Sequence, residues 1–449
     1  MMKDSGLPKP VHAVSVVGLG KLGAPIAACF AHKGYQVIGV DLNEQAVRLI
    51  NEGRTPVYEP ELEELIHANR ERLHATDDIE QAVLGSEITF VIVPTPSDDR
   101  GGFLLKYIRA ACEKIGSALR KKGYHLVVIT STVLPGATNN EIRPILETCS
   151  GRRCGEGFGL CYSPEFIALG SVIRDLLNPD LLLIGECDPK AGELLESFYR
   201  TIHDNQPALV RMNTINAEIA KLAVNTFVTT KVTFANMIAR ICERLPGADS
   251  DVVTSALGLD SRIGRKYLKG AIGYGGPCFP RDNQALSFLA HQLGVPATLA
   301  EATDHANRLQ VPYLAGLVQS KRQAGGVVGI LGLTYKPNTD VVEESQGLLL
   351  AQFLQDEAVP VVVYDPAGMG NARKVLKGLV RFAASAEECV EQADIVVITT
   401  PWDEFRGLSP QLLERCGMPR VVVDCWRVLE AERFQNVAQY VALGMGESC

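Results

Sequence analysis

The most constraining feature of the sequence is a strand, a glycine-rich turn and a helix that follow one another near its start. Val11–Val17 is a β-rich apolar run, and Ala24–Phe30 has helical composition. Between them Gly18, Gly20 and Gly23 have the spacing G-x-G-x-x-G, which between a strand and a helix is typical of dinucleotide-binding α/β domains. We therefore expect a domain that holds the pyrophosphate of a dinucleotide at the helix N-terminus.

The next strand indicates which dinucleotide binds. Gln36–Val40 ends at Asp41, about where an acid hydrogen-bonds the ribose 2′-OH and repels a 2′-phosphate. NAD is therefore favoured over NADP, and the expected cofactor-binding residues of this turn are Gly18, Gly20, Leu22, Gly23 and Asp41. The alternative is a purely structural glycine-rich turn, which the strand, the spacing and the acid together disfavour.

Two further apolar runs extend this first domain. Glu87–Val93 and His125–Thr130 are continuously apolar, as expected for parallel strands that are buried on both faces. Thr95 and Thr132 follow their carboxyl ends, where open α/β sheets bind ligands. From position alone, each hydroxyl could equally contact a cofactor or close a turn.

A second unusual stretch, Gly273–Asp282, surrounds a cysteine. Three glycines and a proline precede Cys278, and Arg281 and Asp282 follow it closely. This setting suits a fixed and exposed thiol, whose thiolate would attack an electrophile in covalent catalysis. A buried structural cysteine is the alternative, although a residue that only fills the core would not require the glycines.

The segments between these features are helical or turn-like, apart from a strand predicted at Leu181–Gly185. Glu165 follows Pro164 in a turn, where an isolated glutamate is usually surface charge. Thr214–Arg244 predicts one long helix, a spine between domains and a candidate subunit interface. Lys221 and Asn225 project from one face of it, for which a solvated face is the default interpretation.

A second α/β pattern occupies the last third of the chain. Its predicted strands are Val327–Leu333, Val359–Tyr364, Ala393–Thr399 and Arg420–Asp424. Because this part lacks G-x-G-x-x-G, we assign it no dinucleotide, and Lys336 and its turn suit the phosphates of another ligand. The predicted fold class is α/β, with two Rossmann-like doubly wound domains joined by a helical central domain, and the expected boundaries are 1–205, 206–312 and 313–449.

Composition and charge exclude several classes of protein. The chain of 449 residues is too long to fold around a single hydrophobic core. Its net charge of −8 provides no basic surface of the kind that binds nucleic acid. No apolar run is long enough for a membrane span, and Met1–Pro10 lacks the features of a secretory signal, so we expect a cytoplasmic protein. Twelve cysteines without a C-x-x-C pair argue for reduced thiols and against a zinc site.

Taken together, these motifs resemble the UDP-glucose/GDP-mannose dehydrogenase family over nearly the whole chain. The resemblance rests on Gly18–Gly23 with Asp41, Ser131–Val133, Ser163–Phe166, Glu218-x-x-Lys221-x-x-x-Asn225, Asp260–Gly264, Gly275–Asp282 and Gly332–Lys336. It implies a four-electron oxidation of a sugar-nucleotide primary alcohol to a carboxylate, with two NAD⁺ and one water consumed.

The resemblance also implies roles for individual residues. It makes Cys278 the nucleophile and has Lys221 and Asp282 work with a water in proton transfer and in holding the oxyanion. It makes Asn225 a hydrogen-bond donor and has Glu165 and Thr132 serve thioester hydrolysis. The solvated and surface interpretations of Lys221 and Glu165 are thereby reversed. The implied substrate-binding residues are Glu165, Lys221, Asn225, Arg262, Lys269, Gly275, Tyr335 and Lys336. Because Arg262 matches a position that reaches a neighbouring subunit's site, a homodimer or higher homo-oligomer is expected.

The substrate and some cofactor contacts remain open at this point. Phe279 after the cysteine is typical of the UDP-glucose branch, whereas GDP-mannose or a UDP-hexosamine is the alternative substrate. Leu169, Glu343 and Trp426 depart from the family pattern, and Arg427 could replace an arginine that is usual one position earlier. A sugar-nucleotide-binding protein without turnover and a two-electron hydroxyacid-type dehydrogenase are the competing hypotheses.

Overall fold

The computed structural model describes residues 11–378, 380–414 and 419–446. The chain forms two compact units, and the boundary between them lies between Ala223 and Val224. The strands are β1 Ala13–Val17, β2 Gln36–Val40, β3 Leu73–Thr76, β4 Ile88–Val91, β5 Leu126–Ile129, β6 Gly159–Tyr162, β7 Leu181–Glu186, β8 Ala208–Asn213, β9 Val328–Leu331, β10 Val361–Tyr364, β11 Val380–Phe382, β12 Ile395–Ile398, β13 Val421–Asp424 and β14 Gln439–Ala442.

Helices fill most of the connections. They are α1 Gly23–His32, α2 Glu44–Asn51, α3 Leu62–Ala68, α4 Ile79–Leu84, α5 Lys106–Leu119, α6 Arg143–Ser150, α7 Val172–Leu177, α8 Pro189–Ile202, α9 Thr214–Cys242, α10 Ser250–Gly258, α11 Phe279–Gln292, α12 Thr298–Arg308, α13 Gln310–Lys321, α14 Gln346–Asp356, α15 Met369–Val375, α16 Ala386–Glu391, α17 Asp403–Arg406 and α18 Ala431–Phe434. A π-helical turn at Thr138–Ile142 leads into α6, and Pro410–Leu413 is a 3₁₀ turn.

The first unit is built on an eight-stranded sheet of order β3-β2-β1-β4-β5-β6-β7-β8. Neighbouring strands are parallel except β6 and β7, which pair antiparallel, so β7 and β8 run against the others. Val16 and Val17 are consecutive on β1 and belong to different buried clusters, because side chains alternate between the faces of a strand. Helices therefore cover both faces, as a doubly wound sheet requires.

The second unit contains a six-stranded parallel sheet of order β11-β10-β9-β12-β13-β14. Ile330 and Leu331 on β9 again contribute to different clusters. The fully described stretch between β8 and β9 holds α9 to α13 and no strand. The predicted fold class is thus confirmed: two Rossmann-like sheets and a helical centre.

The predicted strands are found, usually with one or two fewer residues at their ends. Five strands were not predicted, namely β3, β6, β8, β11 and β14. The predicted long helix also exists as α9, but it ends at Cys242 rather than at Arg244. At about 1.5 Å per residue its 29 residues extend about 43 Å.

Helix α9 does not bury all of its apolar side chains. Leu222 is fully buried, whereas Ile219, Phe227, Phe234 and Met237 are exposed. Ile241 continues the same side of the helix and is also exposed. We call these five exposed residues the apolar stripe of α9. Among the described residues, no helix combines the length and the apolar character that a membrane crossing needs.

Candidate active site

The glycine turn after β1 tolerates no side chain at two of its three glycines. Gly18 has φ +100°, and a Cβ there would lie 2.2 Å from the carbonyl oxygen of Ile92. A Cβ on Gly23 would lie 1.8 Å from the carbonyl oxygen of Gly18, so helix α1 begins directly against the turn. Gly20 has no atom within 4 Å of its Cβ position, so this side of the turn is open. Leu22 precedes the first residue of α1.

Asp41 is held beside this turn at the end of β2. One carboxylate oxygen accepts a hydrogen bond of 2.7 Å from the backbone N–H of Leu19, and the other accepts one of 2.8 Å from that of Asn43. The side chain stays half-buried, so part of it faces outward. An open glycine turn, a helix N-terminus and an acid at the second strand fit the pyrophosphate and the ribose of NAD.

Thr95 and Thr132 lie together where β4 and β5 end. The Thr95 hydroxyl donates to the Thr132 carbonyl at 2.8 Å, and Ser131 accepts from the Val93 N–H at 2.9 Å. The Thr95 hydroxyl thus links the loop after β4 to the loop after β5. Contact of Thr95 or Thr132 with a ligand stays a prediction.

Glu218 fixes the loop that follows Thr132, a role that the sequence did not reveal. Its fully buried carboxylate accepts hydrogen bonds from the backbone N–H groups of Gly136, at 2.6 Å, and Thr138, at 2.9 Å. Burial raises the pKa of Glu218, while these N–H groups lower it. The only signal in the sequence was its place one helical turn before Lys221.

Glu165 and Lys221 are brought together in the first unit. Glu165 lies in the predicted turn after Pro164, and its backbone carbonyl accepts a hydrogen bond of 2.7 Å from Lys221 Nζ. The Lys221 ammonium also lies 4.8 Å from the centre of the Phe166 ring, and its side chain is buried. Burial raises the pKa of the Glu165 carboxyl to about 7, although the charge of Lys221 lowers it.

In the second unit, the buried side chain of Asn307 holds the loop before Cys278 through hydrogen bonds. Asn307 accepts from the backbone N–H of Tyr274 at 2.8 Å and donates to the carbonyl of Tyr274 at 3.0 Å. A Cβ on Gly275 would lie 2.2 Å from the carbonyl oxygen of Glu344. Gly276 has φ +83°, and a Cβ there would lie 2.7 Å from the Tyr335 ring. The glycines therefore allow this loop to pass close to the Glu344 backbone and the Tyr335 ring.

Cys278 stands at the N-terminus of helix α11. Its carbonyl accepts the N–H of Asp282 at 2.8 Å, which closes the first turn of the helix. Cys278 is exposed, whereas the other nine cysteines of the described residues are buried or half-buried. The prediction of an exposed cysteine held by glycines is therefore met by the geometry, and its reactivity stays a prediction.

The Asp282 side chain is fully buried, and both of its carboxylate oxygens accept hydrogen bonds. One carboxylate oxygen accepts from Asn225 Nδ2 at 2.6 Å, and the other accepts from Arg281 Nε and Nη2 at 3.0 and 2.9 Å. Burial lowers the pKa of Arg281, but Asp282, Cys278 and Glu343 outweigh this effect and the pKa is raised. The solvated interpretation of Asn225 is wrong, because its side chain is buried against Asp282.

Two predicted cations pair with acids of the second unit. Arg262 is highly exposed and pairs with Asp260 at 2.6 Å, and Lys269 lies 3.6 Å from Asp251. Both remain predicted substrate residues. Tyr335 and Lys336 lie half-buried in the long loop after β9, and Tyr335 faces the Gly276 position.

The positions that depart from the family pattern have different surroundings. Glu343 is exposed and interacts electrostatically with Arg281, whose guanidinium is already paired with Asp282. Leu169 is half-buried in a turn, and the Trp426 indole donates to the Thr399 carbonyl at 2.9 Å.

The Arg427 side chain is hydrogen-bonded to acceptors of the protein itself. Its guanidinium donates to Asp249 at 2.6 Å, to the Ser250 hydroxyl and to the Leu443 carbonyl, and Asp251 lies 3.3 Å away. These acceptors occupy the guanidinium, so the geometry does not support Arg427 as a replacement cofactor contact.

The second unit contains another version of the glycine turn. Gly332 has φ +105°, and a Cβ on Gly347, in the first turn of α14, would lie 2.1 Å from the Gly332 carbonyl oxygen. Asp365 follows β10 as Asp41 follows β2, and it accepts the N–H groups of Leu333 and Thr334 at 2.7 and 2.9 Å. Trp402, Ala367 and Gly368 also donate to it, and it is buried. A ribose therefore cannot reach this acid.

Comparison with known proteins gives matches along the whole chain. Models of the UDP-glucose/GDP-mannose dehydrogenase family match residues 12–203 as its NAD binding domain, 215–309 as its central domain and 329–431 as its UDP binding domain. UDP-glucose 6-dehydrogenase AglM of Haloferax volcanii is 36% identical over 421 residues, which cover 93% of this chain and 97% of that protein.

Two further matches come from other organisms. GDP-mannose 6-dehydrogenase of Pseudomonas aeruginosa is 37% identical over 357 residues, 78% of this chain and 80% of that protein. The structure of a UDP-glucose dehydrogenase from the archaeon Pyrobaculum islandicum matches with a TM-score of 0.87 at 33% identity and covers 100% of this chain and 99% of that one. With a glycine turn that fits NAD and a sugar-nucleotide ligand indicated by the UDP binding domain, this chain belongs to the UDP-glucose/GDP-mannose dehydrogenase family.

Proposed function

We propose that the protein oxidises the C6 hydroxyl of UDP-glucose to the carboxylate of UDP-glucuronate. The reaction consumes two NAD⁺ and one water and releases two NADH and three protons. The observation that carries the proposal is the exposed Cys278 at the N-terminus of α11, beside the buried Asp282 and Arg281. A second oxidation needs such a nucleophile, because an aldehyde can release hydride only after it becomes tetrahedral.

Bound NAD⁺ supplies the hydride acceptor for each oxidation. The residues of this chain perform the remaining steps. After the first oxidation, the Cys278 thiolate adds to the aldehyde carbon and forms a thiohemiacetal. Loss of the second hydride leaves a thioester, and water then cleaves the bond between carbon and sulfur. The carboxylate leaves, and the thiol is restored for the next cycle.

Two features with positive charge lie at Cys278. A helix N-terminus stabilises negative charge, and the cationic Arg281 lies close enough to interact with the sulfur. Asn225 and Arg281 together fix the Asp282 carboxylate one helical turn after the cysteine. We assign Asp282 to proton transfer through a water, and Asn225 to hydrogen bonding with the substrate oxygen.

Glu165 is suited to the hydrolytic step. A carboxyl whose pKa is about 7 exchanges protons readily at neutral pH, which a general base requires. Lys221 fixes the backbone at Glu165 through a 2.7 Å hydrogen bond. We propose that Glu165, with Thr132, activates the water that cleaves the thioester, and that Lys221 stabilises the oxyanion.

The identity of the sugar nucleotide is the finer part of the proposal. Phe279 after the cysteine and the UDP-glucose dehydrogenase names of relatives support UDP-glucose. GDP-mannose is the second candidate, because the relative named GDP-mannose 6-dehydrogenase is 37% identical over 357 residues. Both substrates have a free primary hydroxyl at C6, so the chemistry at Cys278 would be unchanged.

The deciding experiment measures NADH formed per sugar nucleotide consumed. We expect two NADH per UDP-glucose, and less turnover with GDP-mannose and with UDP-N-acetylhexosamines. Cys278→Ser should lose the full reaction, whereas the control Cys149→Ser, at a half-buried cysteine of α6, should keep it. One NADH per substrate, unaffected by Cys278→Ser, would favour a two-electron dehydrogenase. Binding of UDP-sugars without any NADH would favour a binding protein.

We also propose that the active protein is a homodimer formed through the apolar stripe of α9. Exposed Ile219, Phe227, Phe234, Met237 and Ile241 form a surface that a second copy would cover. Phe227 is 65% exposed, so Phe227→Asp should lower the molar mass measured by sedimentation equilibrium. Leu293→Asp, at a similarly exposed leucine after α11, is the control. A mass that both variants leave unchanged would reject this interface.

A further inference from the structure

Two half-buried cysteines lie side by side at one end of the first sheet. Because β6 and β7 pair antiparallel, the chain that leads into β6 lies beside the chain that leaves β7. Cys154 belongs to the former and Cys187 to the latter. The Cys187 N–H donates to the Leu160 carbonyl at 3.0 Å, and the Cβ position of Gly155 is 3.5 Å from the Cβ of Asp188. The backbone therefore holds both cysteines in place.

The two thiols interact directly. A hydrogen bond from Cys187 lowers the pKa of Cys154, burial raises it, the Arg143 guanidinium lowers it again, and the net effect is a lowered pKa. The same hydrogen bond, together with burial, raises the pKa of Cys187. The Cys187 sulfur also lies 3.5 Å from Asn139 Oδ1. The pair thus combines a sulfur that favours the thiolate with a neighbouring thiol.

This combination differs from the surroundings of most other cysteines in the described parts of the chain. Six are buried, namely Cys29, Cys112, Cys161, Cys242, Cys389 and Cys425. Burial raises the pKa of Cys29, Cys112 and Cys389 to about 12, which suppresses the reactive thiolate. Cys154 and Cys187 are half-buried, so a small oxidant can reach them.

We propose that Cys154 and Cys187 form a site of reversible oxidation that closes to an intramolecular disulfide when the protein meets hydrogen peroxide. The Cys154 thiolate attacks one peroxide oxygen and the O–O bond breaks, which leaves a sulfenic acid and a hydroxide that takes up one proton. The Cys187 sulfur then attacks the Cys154 sulfur, and the second water leaves. The two thiols lose two electrons, and the peroxide is reduced to two waters. This site is independent of the proposed substrate.

The test maps the disulfide in the full-length protein. The protein carries Cys278→Ser to remove the exposed thiol, and it is reduced, treated with hydrogen peroxide, alkylated and digested with trypsin. Cleavage after Arg153, Arg174 and Lys190 places the two cysteines on different peptides. We expect these peptides to be joined, with the mass of two hydrogens lost, and dithiothreitol to separate them. Because the cross-link closes a loop of about 33 residues, oxidation should also raise the melting temperature.

Two variants in the same background control the result. Cys149→Ser should leave the joined peptides unchanged, because Cys149 is half-buried but is not the partner of Cys154. Cys187→Ser should abolish them and leave a sulfenic acid on Cys154 that dimedone labels. Full alkylation of Cys154 and Cys187 after peroxide treatment would overturn the proposal. Linkage of Cys154 to Cys149 would overturn it as well.

Discussion

Replacement of Glu165 by glutamine should stabilise the protein, and increasingly so as the pH rises. The carboxyl titrates near pH 7 in the folded chain, against an ordinary value of 4.5, because burial disfavours its charge. Since the folded pKa is the higher one, the protonated side chain favours folding. Its contribution is complete below about pH 4.5 and is lost as the pH rises through 7.

The size of the effect follows from the interval between the two pKa values. About 2.5 pH units at about 1.4 kcal/mol each give a cost of about 3.5 kcal/mol for the charged form in the folded state. Glutamine has the same shape and no charge, so Glu165→Gln removes this cost. The variant should exceed the wild type by about 3 kcal/mol at pH 8 and by less than about 1 kcal/mol at pH 5.

Urea unfolding at the two pH values measures this difference. Glu193→Gln is the matched control, because Glu193 lies exposed on α8 in the same unit. The control should change the free energy of unfolding equally at both pH values. If the Glu165→Gln difference is also the same at pH 5 and pH 8, the carboxyl is not desolvated and its assignment as a base at neutral pH loses its physical basis.

Three further substitutions test other parts of the structure. Asp41→Ala should raise the KM for NAD about tenfold and reduce the preference over NADP, and steady-state kinetics with an unchanged preference would refute the ribose assignment. Gly275→Ala should lower the melting temperature by several degrees, because its Cβ would lie 2.2 Å from the Glu344 carbonyl oxygen, and an unchanged calorimetric transition would contradict this clash. Arg427→Ala should lower the free energy of unfolding in urea by about 1–3 kcal/mol, since it leaves Asp249 without its partner at 2.6 Å, whereas a change in NAD affinity alone would restore the cofactor role.

The sequence predicted the elements whose physical cause is local. Central strands such as β4 and β12 are continuous apolar runs, and the turn at Gly18 has a spacing that few other structures require. The strands that were missed have weaker patterns. β3 and β14 lie at sheet edges and alternate less clearly, while β6 begins with glycine.

The contacts of the candidate site were harder to predict than its residues. Cys278 and Asp282 are close in the chain, so their proximity followed from a helical turn. The partner of Asp282 is Asn225, 57 residues earlier, and the carboxylate of Glu218 reaches a loop 80 residues away. Such pairs depend on how the chain packs, and the one-dimensional pattern of a single sequence contains no signal for them.

The glycine turn at Gly332 shows how one architecture serves two kinds of recognition. In the first unit, the Asp41 side chain remains partly exposed, so single substitutions at the end of β2 can change how the cofactor ribose is recognised. In the second unit, donors of the protein itself occupy the carboxylate of the corresponding Asp365. This residue therefore stabilises the turn and does not face a ligand. The longer loop between Gly332 and α14 carries Tyr335 and Lys336, the proposed substrate residues, above this fixed base. A change of nucleotide preference would therefore be engineered in this loop, with the sheet beneath it left untouched.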